Sequence, residues 1–347
     1  MKIVQNPHKS AGKLAPNAPY PSTDAASVKQ LLKLCPAAME TPLVTAKGLA
    51  PVAALWVKDE RSRMNLGSFK ALGAAYVVAR QAIEVVPNPN SETLKGRTYV
   101  TASAGNHGMS VAAGARMFGA KSYVYIAETV PESFDERLRS VGATPVRAGS
   151  DYAASMDAAK QAAEDNGWTL LSDSSWEGYT DLPHTLMEGY LAMAAEAAEQ
   201  CPDQPTHIIL QAGVGGLAGA AAAYARKVWG DGPTIIVVEP DAAPALQASI
   251  EVGHCVFADG PDSVMGRLDC KEPSLIALNG LARDADVFVT LSDETVLSCL
   301  PAMADAGLET TASGGAGVAA VMQSDLREAL DIGENSRVLC YLSEVTD

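Results

Sequence analysis

Positive charge is scarce in this chain. Lys and Arg number 26 against 41 Asp and Glu, for a formal net charge of −15. That argues against an unassisted nucleic-acid binder, which needs a basic footprint to displace counterions. Cysteines are few and scattered: Cys35, Cys201, Cys255, Cys270, Cys299 and Cys340 form no C-x-x-C pair. Zinc ribbons and disulfide scaffolds are therefore poorly supported, no metal-ligand set is assigned, and free thiols in a reducing cytoplasm are expected. Aromatics make up only 5%, few for a β-sandwich. The segment from Met1 to Pro21 lacks the apolar core of a signal peptide. The uncharged run from Ile208 to Ala225 is long enough for a membrane span. However, Gly213, Gly215, Gly216 and Gly219 interrupt it, so it reads as strand, turn and helix, and the protein is expected to be soluble.

What is present points to an α/β protein. The 347 residues are 48% hydrophobic and 19% charged, with 29 glycines, enough for a sizeable core in roughly two packed units. After an irregular arm with a helix over Asp24–Cys35, strands and helices alternate. Strands are expected at Ala54–Val57, Thr98–Thr101, Lys121–Ile126, Thr144–Arg147, Thr169–Leu171, Ile208–Gln211, Ile235–Val238, Val287–Thr290 and Arg337–Leu342. Helices are expected from Lys70 through Ile83 and, fed by the turn Ser103 to Gly108, through Met117, then at Ser133–Val141, Tyr152–Asn166, Leu186–Gln200 and Ala218–Val228. Such alternation implies a parallel sheet covered on both faces, with ligands beyond the carboxyl ends of the strands.

Two segments carry chemistry. Gln211-Ala212-Gly213-Val214-Gly215-Gly216-Leu217-Ala218-Gly219 follows a strand and opens a helix, where free amides point at an anion. By itself it is a bare glycine turn, a pocket for a phosphate monoester, or a dinucleotide fingerprint with Glu239 as the ribose acid. The second segment is Ser68-Phe69-Lys70-Ala71-Leu72-Gly73, a lone lysine at a helix start amid small and apolar residues. A helix N-terminus disfavours a cation, and burial would lower the lysine's pKa and supply a neutral amine for Schiff-base chemistry. A lysine that snorkels to solvent is the plain alternative.

With these two segments in place, the chain resembles the fold-type II pyridoxal-phosphate enzymes, the tryptophan synthase β superfamily, and within them the diaminopropionate ammonia-lyases. The resemblance runs in order over residues 41–347. It takes in Thr41-Pro42-Leu43, Val57-Lys58-Asp59-Glu60, Ser68-Phe69-Lys70 and Gly105-Asn106-His107-Gly108. It continues through Ser172-Asp173-Ser174-Ser175-Trp176-Glu177-Gly178-Tyr179-Thr180, Gln211 to Gly215 and Val238-Glu239-Pro240-Asp241. Met265-Gly266-Arg267-Leu268, Glu272-Pro273, Leu342-Ser343-Glu344 and Thr346-Asp347 complete it. The lysine and phosphate loop fit many relatives, including threonine dehydratases and O-acetylserine sulfhydrylase, whereas the Trp-Glu-Gly-Tyr-Thr segment is more discriminating.

The resemblance implies two three-layer αβα domains with pyridoxal 5′-phosphate in the cleft between them. Residues 1–74 and 191–347 would form the large cofactor-binding domain and 75–190 a small, mobile insertion. Lys70 would hold the cofactor covalently, Gly213, Val214, Gly215 and Gly216 its phosphate, Asn106 its 3′-oxygen and Ser343 its ring nitrogen. Ser103, Gly105, Asn106 and His107 lie on the loop that would receive the substrate α-carboxylate. Asn106 as a helix cap and His107 as a packed core residue are the alternatives. Asp173 would act on the substrate as acid–base or amine contact, against the alternative of an exposed acid at a strand end. The implied reaction removes the Cα proton, with released Lys70 as base, and expels the β-substituent of a small amino acid, giving a 2-oxo acid and ammonia. L-2,3-Diaminopropionate is the expected substrate, and a cytoplasmic homodimer the expected form.

Two positions depart from the ammonia-lyase pattern. Ala104 stands where that pattern has an aspartate thought to serve the D-isomer, so Ser-Ala-Gly-Asn-His resembles the hydroxyamino-acid dehydratases instead. A serine, threonine or hydroxyaspartate dehydratase is thus the second reading. Ser343-Glu344-Val345-Thr346 is also one glycine short. A non-catalytic cofactor or nucleotide sensor is a further alternative, and a dehydrogenase would leave Lys70 and the Asn106 loop unexplained.

Overall fold

The computed structural model describes residues 1–9, 12–35 and 37–346; Asp347, at the end of the C-terminal match, lies outside the described residues. Three strands open the chain: β1 (Ile3–Gln5), β2 (Leu43–Ala46) and β3 (Ala54–Asp59). Then come β4 (Thr98–Ala102), β5 (Lys121–Ile126), β6 (Thr144–Arg147) and β7 (Thr169–Leu170). The last are β8 (His207–Gln211), β9 (Thr234–Pro240), β10 (Val287–Leu291) and β11 (Arg337–Leu342).

These strands make two sheets. A seven-stranded sheet has the order β1-β10-β9-β8-β11-β3-β2, and a four-stranded sheet the order β6-β5-β4-β7. The smaller sheet, drawn entirely from residues 98–170, is parallel throughout. In the larger, the central pairings are parallel. Its strands β8 and β10 are buried at every position, as continuous apolar runs covered on both faces must be.

The alternation pattern anticipates the parallel strands but not the edges. β1 pairs antiparallel with β10, and β2 with β3. An antiparallel edge strand needs no crossover helix, and each edge segment is short and only partly buried, so neither carries the alternation signal.

Glycine misleads at two helices. The single helix expected over 186–200 is two, Asp181–Gly189 and Leu191–Gln200, with a break at Tyr190. Gly189 sits so close to the helix Lys70–Val85 that a Cβ there would lie 2.5 Å from the Leu72 carbonyl oxygen. Ala312–Met322 is a buried helix that its glycines conceal, because glycine weakens helix propensity. Here it allows close approach: a Cβ on Gly317 would lie 2.9 Å from Gln211 Oε1.

The uncharged run after Ile208 forms β8, a turn and the helix Gly216–Trp229. No described helix is long and apolar enough to cross a membrane. The N-terminal helix spans Ala25–Leu32 and is capped by Asp24, which accepts from the Ser27 amide at 3.2 Å.

A buried ionic cluster stands behind the lysine segment. Arg63 donates to Glu60 Oε2 at 2.7 Å and to Glu196 Oε2 at 2.6 Å, and Lys58 lies 2.7 Å from Glu196. All four side chains are buried, and such a cluster is tolerable only because every charge is paired. It anchors the chain just before Met64 and Asn65, two non-glycine residues with φ of 51° and 57°. That unfavourable left-handed geometry turns the chain toward Lys70.

Candidate active site

Lys70 is the first residue of the helix Lys70–Val85, and its ammonium is ion-paired with the carboxylate of Asp173. Their side chains are 21% and 17% exposed. Burial pulls the Lys70 amine down, but the Asp173 charge outweighs it and holds the amine above the ordinary lysine range. Burial likewise pushes the Asp173 carboxyl up, and the Lys70 charge more than reverses this, holding it well below the usual carboxylate range. The expected neutral amine is thus not found, because the sequence does not show the carboxylate that faces it.

Asp173 is held by its own segment. Tyr179 Oη accepts from the Ser172 amide at 3.1 Å and donates to the Leu170 carbonyl at 2.9 Å. Ser175 Oγ accepts from the Ile276 amide at 3.0 Å. Tyr179 of the discriminating Trp-Glu-Gly-Tyr-Thr motif therefore pins the backbone before the acid, and Ser175, just ahead of the motif, pins the backbone after it. Asp173 is not the exposed strand-end acid of the alternative reading.

The Asn106 loop follows β4. Gly105 occupies the N-cap position of the helix Asn106–Met117, and no side chain caps it. Asn106 instead donates to Glu344 Oε2 at 2.7 Å, which answers the capping question. Gly108 is required by the turn, since a Cβ there would lie 2.1 Å from the Ser103 carbonyl oxygen.

His107 is buried and its Nε2 donates to the Leu171 carbonyl at 2.8 Å. Nδ1 is then left as an acceptor with no hydrogen-bond partner. Burial pushes the imidazole pKa down. A neutral ring with a bare acceptor suits an ammonium donor better than a carboxylate, so a carboxylate contact from His107 would fall to its backbone amide.

The glycine turn lies at the carboxyl end of β8, and Gly215 has φ of +97°. A Cβ on Gly213 would lie 2.9 Å from Cys270 Sγ and 3.1 Å from the Arg267 carbonyl oxygen. The Val214 carbonyl accepts from the Ser274 amide at 3.0 Å. The turn is packed from behind and its helix opens with free amides, the geometry of an anion cradle.

Glu239 is a helix cap and no ribose ligand. Its two carboxylate oxygens accept from the Leu246 and Gln247 amides, each at 2.7 Å, and it is buried. Burial pushes its carboxyl up to about 8. The dinucleotide reading therefore loses its acid.

Lys70 and the glycine turn share neighbours that the motifs do not reveal. Cys270 abuts Gly213, and burial and the nearby Asp173 charge push its thiol up to about 11. Tyr190 abuts Gly216, and its ring packs on Phe69 with centroids 4.9 Å apart. Ser343 also meets this segment: its carbonyl accepts from the Phe69 amide at 3.1 Å, and Ser68 bridges to Glu344. Glu344 and Tyr179 stand inside segments the sequence singles out. Nothing in the sequence marks Tyr190, which reads as one more apolar helix position.

This arrangement fits pyridoxal phosphate: an amine for its aldehyde, an anion cradle for its phosphate, and an amide and a serine segment for its ring. The comparisons agree. The pyridoxal-phosphate dependent enzyme family matches residues 34–344. Diaminopropionate ammonia-lyase of Salmonella typhimurium is 34% identical over 264 residues, 70% of this chain and 65% of that protein. Its Escherichia coli K12 counterpart is 33% identical over 270 residues, 73% of this chain and 68% of that protein. The chain thus matches about two thirds of the length of these relatives. In three dimensions, the Escherichia coli diaminopropionate ammonia-lyase crystallised with an aminoacrylate–PLP azomethine reaction intermediate has a TM-score of 0.86 and 27% identity, covering 99% of this chain and 93% of that one. The chain belongs to the pyridoxal-phosphate dependent enzyme family, with the fold-type II architecture of the diaminopropionate ammonia-lyases to which it is similar.

Proposed function

We propose that this chain is a lyase that removes the β-substituent of a small amino acid to give a 2-oxo acid and ammonia, with L-2,3-diaminopropionate as substrate. The observation that carries the reading is the Lys70–Asp173 pair, set beside side chains that also line the glycine turn. Lys70 holds the cofactor covalently. The amides of Gly213, Val214, Gly215 and Gly216 hold its phosphate, Asn106 faces its 3′-oxygen, and Ser343 faces its ring nitrogen. The bound cofactor supplies an electron sink for the pair left at the substrate Cα.

Within that frame, Ser103, Gly105, Asn106 and His107 receive the α-carboxylate on their loop. The freed Lys70 amine takes the Cα proton. Asp173, which takes up a proton once the Lys70 ammonium no longer faces it, returns that proton to the departing β-amine, or as a carboxylate holds that amine in place. Residues 1–74 with 191–347 form the cofactor-binding domain and 75–190 the smaller one. A homodimer in the cytoplasm completes the proposal, in keeping with the six free cysteines among the described residues. A second reading, loss of a β-hydroxyl, is favoured by one observation, the methyl of Ala104 where the ammonia-lyase pattern has a carboxylate.

Borohydride reduction of the purified protein followed by peptide mass mapping tests the attachment. A pyridoxyl group on the Lys70 peptide is expected, and its presence on another lysine overturns the assignment. Oxo acid and ammonium are then measured with L- and D-diaminopropionate, L-serine, L-threonine and hydroxyaspartate. Fastest release from L-diaminopropionate is expected; faster turnover of a hydroxyamino acid reassigns the leaving group.

A further inference from the structure

Tyr190 is 1% exposed, and its O–H has no hydrogen-bond acceptor. Buried tyrosine hydroxyls nearly always find one, because stranding a polar group away from water is costly. The position of the ring indicates what partner is missing. Its distal carbon Cε1 lies 2.8 Å from where a Cβ on Gly73 would stand, and Cε2 lies 3.2 Å from where one on Gly216 would stand. Gly73 is in the first turn of the helix that begins at Lys70, and Gly216 is the first residue of the helix after the glycine turn. Two missing side chains thus make room for the phenol tip between two helix N-termini.

Both termini favour a negative charge, and neither offers the phenol an acceptor, because the free groups there are N–H donors. The hydroxyl therefore waits for an acceptor that the protein does not supply. Phe69, tilted against the ring at 59°, keeps it aimed at this junction, and the Lys70 ammonium beside it can donate to the phenol oxygen but cannot accept from its O–H.

We propose that Tyr190 donates its O–H to the phosphate of the bound cofactor, adding a side-chain donor from the residue that follows the Asp181–Gly189 helix to the amides of the glycine turn. This rests on the cofactor reading above.

The test compares binding of pyridoxal phosphate and of pyridoxal, which lacks the phosphate, to resolved apoprotein by absorbance titration. Tyr190→Phe keeps the ring and its packing and removes only the hydroxyl. Its apoprotein is expected to melt no lower than wild type, since a stranded hydroxyl has been deleted. The dissociation constant for pyridoxal phosphate is expected to rise by about tenfold, the worth of a hydrogen bond to a charged group, while that for pyridoxal stays unchanged. A variant that binds pyridoxal phosphate as wild type does, or that loses both ligands equally, overturns the assignment. A wild-type protein that takes up neither ligand overturns the cofactor reading along with it.

Discussion

Asn106 donates its side-chain Nδ2–H to Glu344 Oε2 at 2.7 Å, joining the loop after β4 of the smaller sheet to the residue two past the end of β11 in the larger. Glu344 is buried, and its other oxygen accepts from Arg267 at 2.8 Å and from Thr311 at 2.5 Å. One carboxylate therefore fixes the rotamer of the amide proposed to face the cofactor ring and holds the Arg267 segment against it. The resemblance marks Ser343 in this stretch, yet its neighbour makes the contacts across the cleft.

Glu344→Gln exchanges a charged acceptor for a neutral amide that cannot serve all these donors. A loss of about 1–3 kcal/mol in stability is expected, read as a lower denaturation midpoint. The visible absorbance of the reconstituted cofactor should also shift, because Asn106 loses its fixed orientation. An unchanged spectrum would show that Glu344 supports the fold without setting Asn106.

The Lys70–Asp173 pair makes a prediction about pH. Asp173 titrates below its unfolded value, so its contribution is present above about pH 4 and is lost as pH falls through the folded pKa. Lys70 titrates above its unfolded value, so its contribution is present below about pH 10 and is lost as pH rises through the folded pKa. The stability gap between wild-type apoprotein and Asp173→Asn should therefore be flat from about pH 5 to 7, at roughly 1.5–3 kcal/mol for a charge-assisted bond, and should narrow above that as the buried, unpaired Lys70 of the variant gives up its proton. A gap that closes within the flat range would mean that one partner is already neutral. The same variant, loaded with cofactor, should lose most turnover of diaminopropionate.

Ala104 packs at the margin of the apolar cluster of Ala112, Val124, Ile126, Leu138 and Ala143. Ala104→Asp, which restores the ammonia-lyase pattern, would set a carboxylate beside that cluster. A modest loss of stability, about 1 kcal/mol, is expected from partial desolvation of the new charge. Turnover of D-diaminopropionate should appear or rise relative to the L-isomer. An unchanged stereopreference in a folded, cofactor-loaded variant would remove this position from isomer selection.

The sequence by itself determined the parallel strands, the glycine turn and the lysine at a helix start, because each is local. Strand and helix periodicity, positive φ at Gly215 and a cation at a disfavoured helix end are all written within a few residues. The motif order from Thr41 onward also determined the family. Tertiary structure alone decided the charge of Lys70, since Asp173 lies 103 residues away in the chain and no local pattern encodes their meeting. It likewise turned Glu239 into a helix cap, paired β1 and β2 at the sheet edges and brought the Tyr190 phenol between two helix starts. Burial and ionisation depend on which distant groups share a space, and that is settled only when the sheets and their covering helices pack together.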